Sequence, residues 1–182
     1  ATKTAELVKE LNGSGVELAD TRKTTPGLRL MEKYAVRCGG GINHRRGLDD
    51  TAMLKENHLA WSENIEQAIL LIRRSAPWPT KIIVEAETSK QAEEAVNAGA
   101  DGILLDEMSE TTIKKLVPRL RELAKARPNK IGSSSIVIEA SGINPAEIKI
   151  YAETGVDLIS SSAPVTKSHW IDFSMRFSEP IL

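Results

Sequence analysis

Three segments of this chain carry side chains able to act together on a charged small molecule. The first is Asp20-Thr21-Arg22-Lys23, the second is Gly39-Gly40-Gly41 leading into Asn43-His44-Arg45, and the third is Lys55. Arg22, Lys23, His44, Arg45 and Lys55 form a cationic cluster. Guanidinium and ammonium groups give charge-assisted hydrogen bonds to carboxylates and phosphates, so the cluster suits a ligand bearing several of these. Glu85 and Asp106 end successive apolar runs, and paired carboxylates suit a divalent cation or the hydroxyls of a sugar. Ser141-Gly142, ahead of a capped helix, offers backbone N–H groups to a phosphate. A site with all three parts fits an anionic acceptor together with a phosphorylated sugar. His44 taken alone reads more readily as a surface or hydrogen-bonded histidine, its place between Asn43 and Arg45 after three glycines favours a ligand-contacting loop, and the three glycines read equally well as a tight turn.

The charges are unevenly placed. From Thr21 to Arg46 there are seven bases and one acid, whereas from Glu85 to Glu110 there are eight acids and one base. Over all 182 residues, 24 Lys and Arg meet 25 Asp and Glu, so no global basic excess favours nucleic acid or a membrane surface. Helical spacing puts Arg29, Lys33, Arg37, Glu93 and Glu94 on solvated faces. His58 and His169 have no acid or cysteine at metal spacing, so zinc is not expected. Trp61, Trp78 and Trp170 read as packing residues, and Cys38 as a small buried hydrophobe. With one cysteine no intrachain disulfide can form, which fits a reducing cytoplasm. No apolar run reaches the ~18 residues of a membrane span. The opening ATKTAELVKE has neither signal-peptide nor transit-peptide character, and a start at Ala1 without Met reads as processed or incomplete.

Groups so far apart in sequence must be gathered by a scaffold. The chain alternates short apolar runs with helical patterns, the mark of βα units and a parallel sheet. The runs are Gly15–Ala19, Ala52–Leu54, Ile82–Val84, Gly102–Leu105, Ile136–Ile138 and Val156–Ile159. The amphipathic stretches are Leu28–Val36, Ser62–Arg74, Ser89–Asn97, Glu110–Ala126 and Pro145–Thr154, after a leading helix within residues 1–13. Ser89, Ser109 and Asn144 are the expected caps. Pro128-Asn129 through Gly132-Ser133-Ser134-Ser135 marks the longest flexible connection. No linker divides residues 1–182, with a tail over 170–182, into two domains. A closed eight-stranded barrel takes about 250 residues. The expected fold is therefore an α/β single domain, an open or incomplete (β/α) barrel with about six parallel strands, with a doubly wound sheet as the alternative. In either, function gathers at the carboxyl ends of the strands, and every strand here ends in a polar group.

Asp20–Arg29 (DTRKTTPGLR), Glu32–Val36, Gly39–Gly47 (GGGINHRRG), Leu54–His58 (LKENH), Val84–Glu87 (VEAE), Leu104–Asp106 and Glu139–Gly142 (EASG) resemble quinolinate phosphoribosyltransferases, the carboxylating nicotinate-nucleotide pyrophosphorylases. The resemblance covers about residues 1–177 and corresponds to the family's C-terminal open-sided α/β barrel. It implies that the N-terminal domain is absent from this chain. It also implies the reaction: quinolinate and phosphoribosyl pyrophosphate, with Mg²⁺, give nicotinate mononucleotide, pyrophosphate and carbon dioxide in NAD biosynthesis.

Carried over by motif, Thr21, Arg22, Lys23, His44, Arg45 and Lys55 would bind substrate, chiefly the two quinolinate carboxylates and part of the pyrophosphate. Glu85 and Asp106 would hold Mg²⁺ and the ribose hydroxyls. Ser141, Gly142, Ile143, Ser161, Ser162 and Ala163 would take the 5′-phosphate. The family pattern further implies a cytoplasmic homodimer or higher homo-oligomer, with neither nucleic acid nor membrane as a partner. Two segments depart from it: Ser141-Gly142-Ile143 stands where the family has SGG, and Ser161–Ser168 (SSAPVTKS) where it has a VGALTHS-like turn. A paralogue with another anionic acceptor and a non-catalytic anion-binding barrel are the other readings.

Overall fold

The computed structural model describes residues 1–127 and 135–176. The six apolar runs become β1 (Glu17–Ala19), β2 (Ala52–Leu54), β3 (Ile82–Ala86), β4 (Gly102–Asp106), β5 (Val137–Ser141) and β6 (Leu158–Ser160). Every neighbouring pair is parallel, in the order β1-β6-β5-β4-β3-β2. Parallel pairing needs a crossover long enough to return the chain to the same edge, and helices supply it. These are α1 (Thr2–Glu10), α2 (Arg29–Cys38), α3 (Glu56–Ala60), α4 (Ile65–Ser75), α5 (Ser89–Asn97), α6 (Glu110–Lys125), α7 (Ile148–Ala152) and α8 (Ala163–Thr166). A 3₁₀ turn, Pro145–Glu147, precedes α7.

The strands run one way from β2 to β6, and β1 then pairs with β6. A doubly wound sheet reverses its strand order and this one does not. The architecture is therefore an open (β/α) barrel of six parallel strands, with its gap between β1 and β2.

Strand alternation divides the side chains into two sets. Ile82, Val84 and Ala86 of β3, Ile103 and Leu105 of β4, Ile138 and Ala140 of β5, and Ile159 of β6 are wholly buried, in one cluster with Ala92, Ala95 and Val96 of α5 and Ile113, Val117 and Leu120 of α6. The core thus lies between sheet and helices. The intervening set, Met53, Glu85, Leu104, Glu139 and Ser160, lines a cavity inside the barrel. Burial at about 25 cal/mol per Å² of apolar surface acts on the outer set and leaves the inner set available for chemistry.

The glycine run serves packing at the gap. Ile42 pairs with Ala19 as a single parallel bridge, its N–H donating to the Leu18 carbonyl and its carbonyl accepting from Asp20 N–H. A Cβ on Gly39 would lie 2.5 Å from the Ala1 carbonyl and from Thr4 Cβ, and one on Gly41 would lie 2.9 Å from Val36. Only glycine lets this turn pass between α1 and β1.

Several expectations are corrected. Lys33 is buried rather than solvated, because its ammonium finds an acid inside the barrel rim. Cys38 is exposed, since it is the last residue of α2 on the side away from the core. Trp61, Trp78 and Trp170 are also exposed and pack into no core. The cap of α5 is Thr88, one residue earlier than Ser89: its hydroxyl accepts from Gln91 N–H and the Gln91 side chain answers as a capping box. Ser109 and Asn144 cap as expected. The stretch Ser62–Arg74 forms one helix that begins three residues later, at Ile65, where the Asn64 side chain caps it, and runs to Ser75. The connection over residues 128–134 and the tail beyond 176 lie outside the described residues.

Candidate active site

The cavity at the carboxyl ends of the strands has a volume of about 360 Å³. Its basic wall begins at the end of β1. Asp20 accepts from the Lys33 ammonium at 2.5 Å, from His44 N–H at 2.8 Å and from the Asn43 amide at 2.7 Å. Lys33 also donates to the His44 carbonyl. This buried hub joins β1, α2 and the loop after the glycines, and so sets Arg22 and Arg45 near one another. Arg29 ties the same two loops from outside, donating to the Thr24 hydroxyl and to the carbonyls of Arg22 and Arg46. It is a structural strut rather than a solvated charge.

Arg22 and Arg45 are a like-charged pair held in a partly dry place. Burial pushes the Arg45 guanidinium below its usual value and the charge of Arg22 adds to this. Arg22 Nε is shut off from water with no partner among the described residues. Both features favour an anion between them.

The acidic wall rises from β3 and β4. Glu85 pairs with Lys55 at the end of β2, a contact that register makes possible because Leu54 lies beside Val84. Burial raises the Glu85 carboxyl above the ordinary range, Lys55 opposes that rise, and Asp106 and Glu56 add to it. Asp106 ends β4 beside Ser141 of β5, and its carboxylate makes no hydrogen bond or ion pair among the described residues. Behind it the backbone is tight: Glu107 sits at φ +52°, and a Cβ on Gly142 would come within 2.6 Å of Glu107 Cγ and 3.1 Å of Asp106 Oδ1. A left-handed non-glycine residue is a strained one, and it lies here at the rim of the cavity.

The cavity gathers Thr21, Arg22, Lys23, His44, Arg45, Lys55, Glu85, Asp106 and Ser141. Gly142, Ile143, Ser161, Ser162 and Ala163 are not in its lining; Ile143 packs against the core and Ala163 N–H donates to the Ser161 hydroxyl. Sequence reasoning places Asp20 and Glu139 among the polar groups at the strand ends without giving either a ligand to hold, and gives no site role to Met53 or Leu104; all four line the cavity with Ser160. For Glu139 the available signal was its place two residues before Ser141 on the same strand face.

No cluster of three or more metal-ligating side chains occurs among the described residues. Glu85, one of whose oxygens is paired with Lys55, and Asp106 both line the cavity, and two such carboxylates fit Mg²⁺, an ion held through one or two carboxylates with substrate oxygens completing its shell. What the arrangement can do is hold a multiply charged anion on one wall and a cation or polyol on the other.

Residues 1–176 match the family model described as quinolinate phosphoribosyl transferase, C-terminal domain. A probable carboxylating nicotinate-nucleotide pyrophosphorylase of Synechocystis is 42% identical over 177 residues, and one of Methanothermobacter thermautotrophicus is 44% identical over 163. These alignments cover 97% and 89% of this chain but 57% and 56% of the relatives. The crystal structure of NadC from Streptococcus pyogenes superposes with a TM-score of 0.81 at 39% identity, over 96% of this chain and 57% of that one. The chain therefore spans a little over half the length of the proteins it matches.

Proposed function

The chain belongs to the quinolinate phosphoribosyl transferase C-terminal domain family, and we propose that it carries the acceptor, ribose and phosphate contacts of that transfer. The reaction is phosphoribosyl transfer from phosphoribosyl pyrophosphate to quinolinate with decarboxylation, releasing nicotinate mononucleotide, pyrophosphate and carbon dioxide. The observation that carries this reading is the pairing of an under-satisfied guanidinium wall with a carboxylate wall in one cavity.

In the proposed pose the two quinolinate carboxylates lie against Arg22, Arg45 and Lys55. The ring nitrogen then points toward the ribose C1 held by Glu85 and Asp106. As the C1–pyrophosphate bond breaks, positive charge develops on the ribose and the two carboxylates stabilise it by fixed electrostatics. Positioning supplies the rest, and no enzyme nucleophile is needed. The new N–C1 bond makes the pyridinium ring an electron sink, so the electron pair of the departing carboxylate is accepted by the ring carbon and later protonated. Glu85 and Asp106 would hold Mg²⁺, which neutralises phosphate charge when bound. Ser141 and the Ser160–Ala163 turn are proposed for the 5′-phosphate.

We further propose a homodimer or higher oligomer in the cytoplasm. Leu30, Met31 and Tyr34 on α2 and Trp170 and Phe173 in the tail expose apolar surface that a second copy would cover. No helix of the described residues is long and apolar enough to cross a membrane.

Calorimetric titration with quinolinate and with nicotinate, each with and without Mg²⁺ and phosphoribosyl pyrophosphate, tests the assignment. Tighter binding of the dicarboxylate is expected. Equal binding of the two acids, or of neither, would overturn it.

A further inference from the structure

His44 reaches into the cavity, yet both of its ring nitrogens are already engaged. Nδ1 accepts the backbone N–H of Arg45 at 2.7 Å, so Nδ1 carries no hydrogen. The remaining ring hydrogen is then on Nε2, which lies 3.1 Å from Glu139 Oε2 and donates to it. Glu139 is 3% exposed, and His44 is its one side-chain partner among the described residues, because its other oxygen, Oε1, is buried without one. The result is a relay of fixed direction: Arg45 N–H to His44, and His44 N–H to Glu139.

We propose that His44 and Glu139 are positioning residues that hold Arg45 in the anion site, and that His44 does not itself contact the acceptor. This rests on the acceptor assignment above. The physical ground is directional. A ring pinned at both nitrogens has no free donor for a carboxylate, but it locks the backbone of the residue whose guanidinium faces Arg22. Lys33 holds the same peptide through the His44 carbonyl, and Asp20 holds the peptide before it through His44 N–H. Buried carboxylates that orient a histidine from behind are a recurrent means of fixing its tautomer.

NMR of the full chain combined with quinolinate titration tests this. In the free protein His44 is expected as the Nε2–H tautomer, with a slowly exchanging Arg45 amide. Saturation with quinolinate is expected to leave that tautomer unchanged. Glu139→Gln retains a carbonyl able to accept from Nε2–H, and it should keep the Arg45 amide protected and bind quinolinate within about threefold of the parent. Glu139→Leu should lose the protection and bind about tenfold more weakly. A ring hydrogen on Nδ1 in the free protein, a new partner for Nε2 on saturation, or a leucine variant as tight as the parent would overturn the proposal. Should the leucine variant not fold, the tautomer of the parent with and without quinolinate still decides. If the parent binds no quinolinate, the acceptor assignment fails, while the free-state tautomer and Arg45 protection still judge the positioning role.

Discussion

Lys33 of α2 donates to the carboxylate of Asp20 at the end of β1 across 2.5 Å, and both side chains are almost closed to water. Three further hydrogen bonds complete the hub, from His44 N–H and the Asn43 amide to Asp20 and from Lys33 to the His44 carbonyl. A buried pair of this kind adds little net stability over an apolar pair, but breaking it leaves one uncompensated charge. Asp20→Ala is therefore expected to destabilise the fold by about 3–5 kcal/mol in urea unfolding. Combining it with Lys33→Met should recover part of that loss. A double variant no more stable than the single one would contradict the account.

The anion wall makes a binding prediction. Arg22→Ala and Lys55→Ala should each weaken quinolinate by about 1.5–3 kcal/mol, the worth of a charge-assisted hydrogen bond. Calorimetry reads both. Because Arg22 Nε has no partner among the described residues to lose, the Arg22→Ala effect should appear in binding with little change in thermal stability.

Asp106 is expected to matter after binding. Asp106→Asn should lower turnover by about 100-fold or more while quinolinate affinity stays within about threefold, as for a group whose charge acts in the transition state. Steady-state kinetics with separate acceptor titration checks this split. Equal losses in both would remove its transition-state role.

Titration of Glu85 carries a sign. Its carboxyl is raised by burial first, so the folded protein holds that proton more tightly than the unfolded chain does. The stabilisation from protonation is complete below the unfolded value and is lost as pH rises through the folded one. Lys55→Gln should move the Glu85 titration further up, because Lys55 lowers it, and Asp106→Asn should move it down. Carbon NMR of the Glu85 carboxyl follows both shifts.

Gly39→Ala adds a Cβ at 2.5 Å from backbone and from Thr4 Cβ, contacts that no rotamer relieves. A loss of about 1–3 kcal/mol is expected, typical of overpacking. Thermal melting measures it, and increased exchange of the α1 amides should accompany it.

Much of this protein is legible in its residues alone. Apolar runs that end in polar groups set six parallel strands, and the charge asymmetry between the Thr21–Arg46 and Glu85–Glu110 segments named both walls of the cavity, because composition at a strand's carboxyl end is local information. Other features depend on distance in space. Periodicity assigned Lys33 to solvent, since nothing within a helical turn shows that an acid thirteen residues earlier waits beneath it. The same limit hid the role of the glycines, whose missing Cβ atoms matter only where α1 passes over them. It also hid the partner of Glu139, which meets His44 across ninety-five residues. Sequence spacing determined which side chains stand at the rim. Only tertiary packing decided which of them face the cavity free and which are spent holding the others, because hydrogen-bond partners are chosen by proximity after folding.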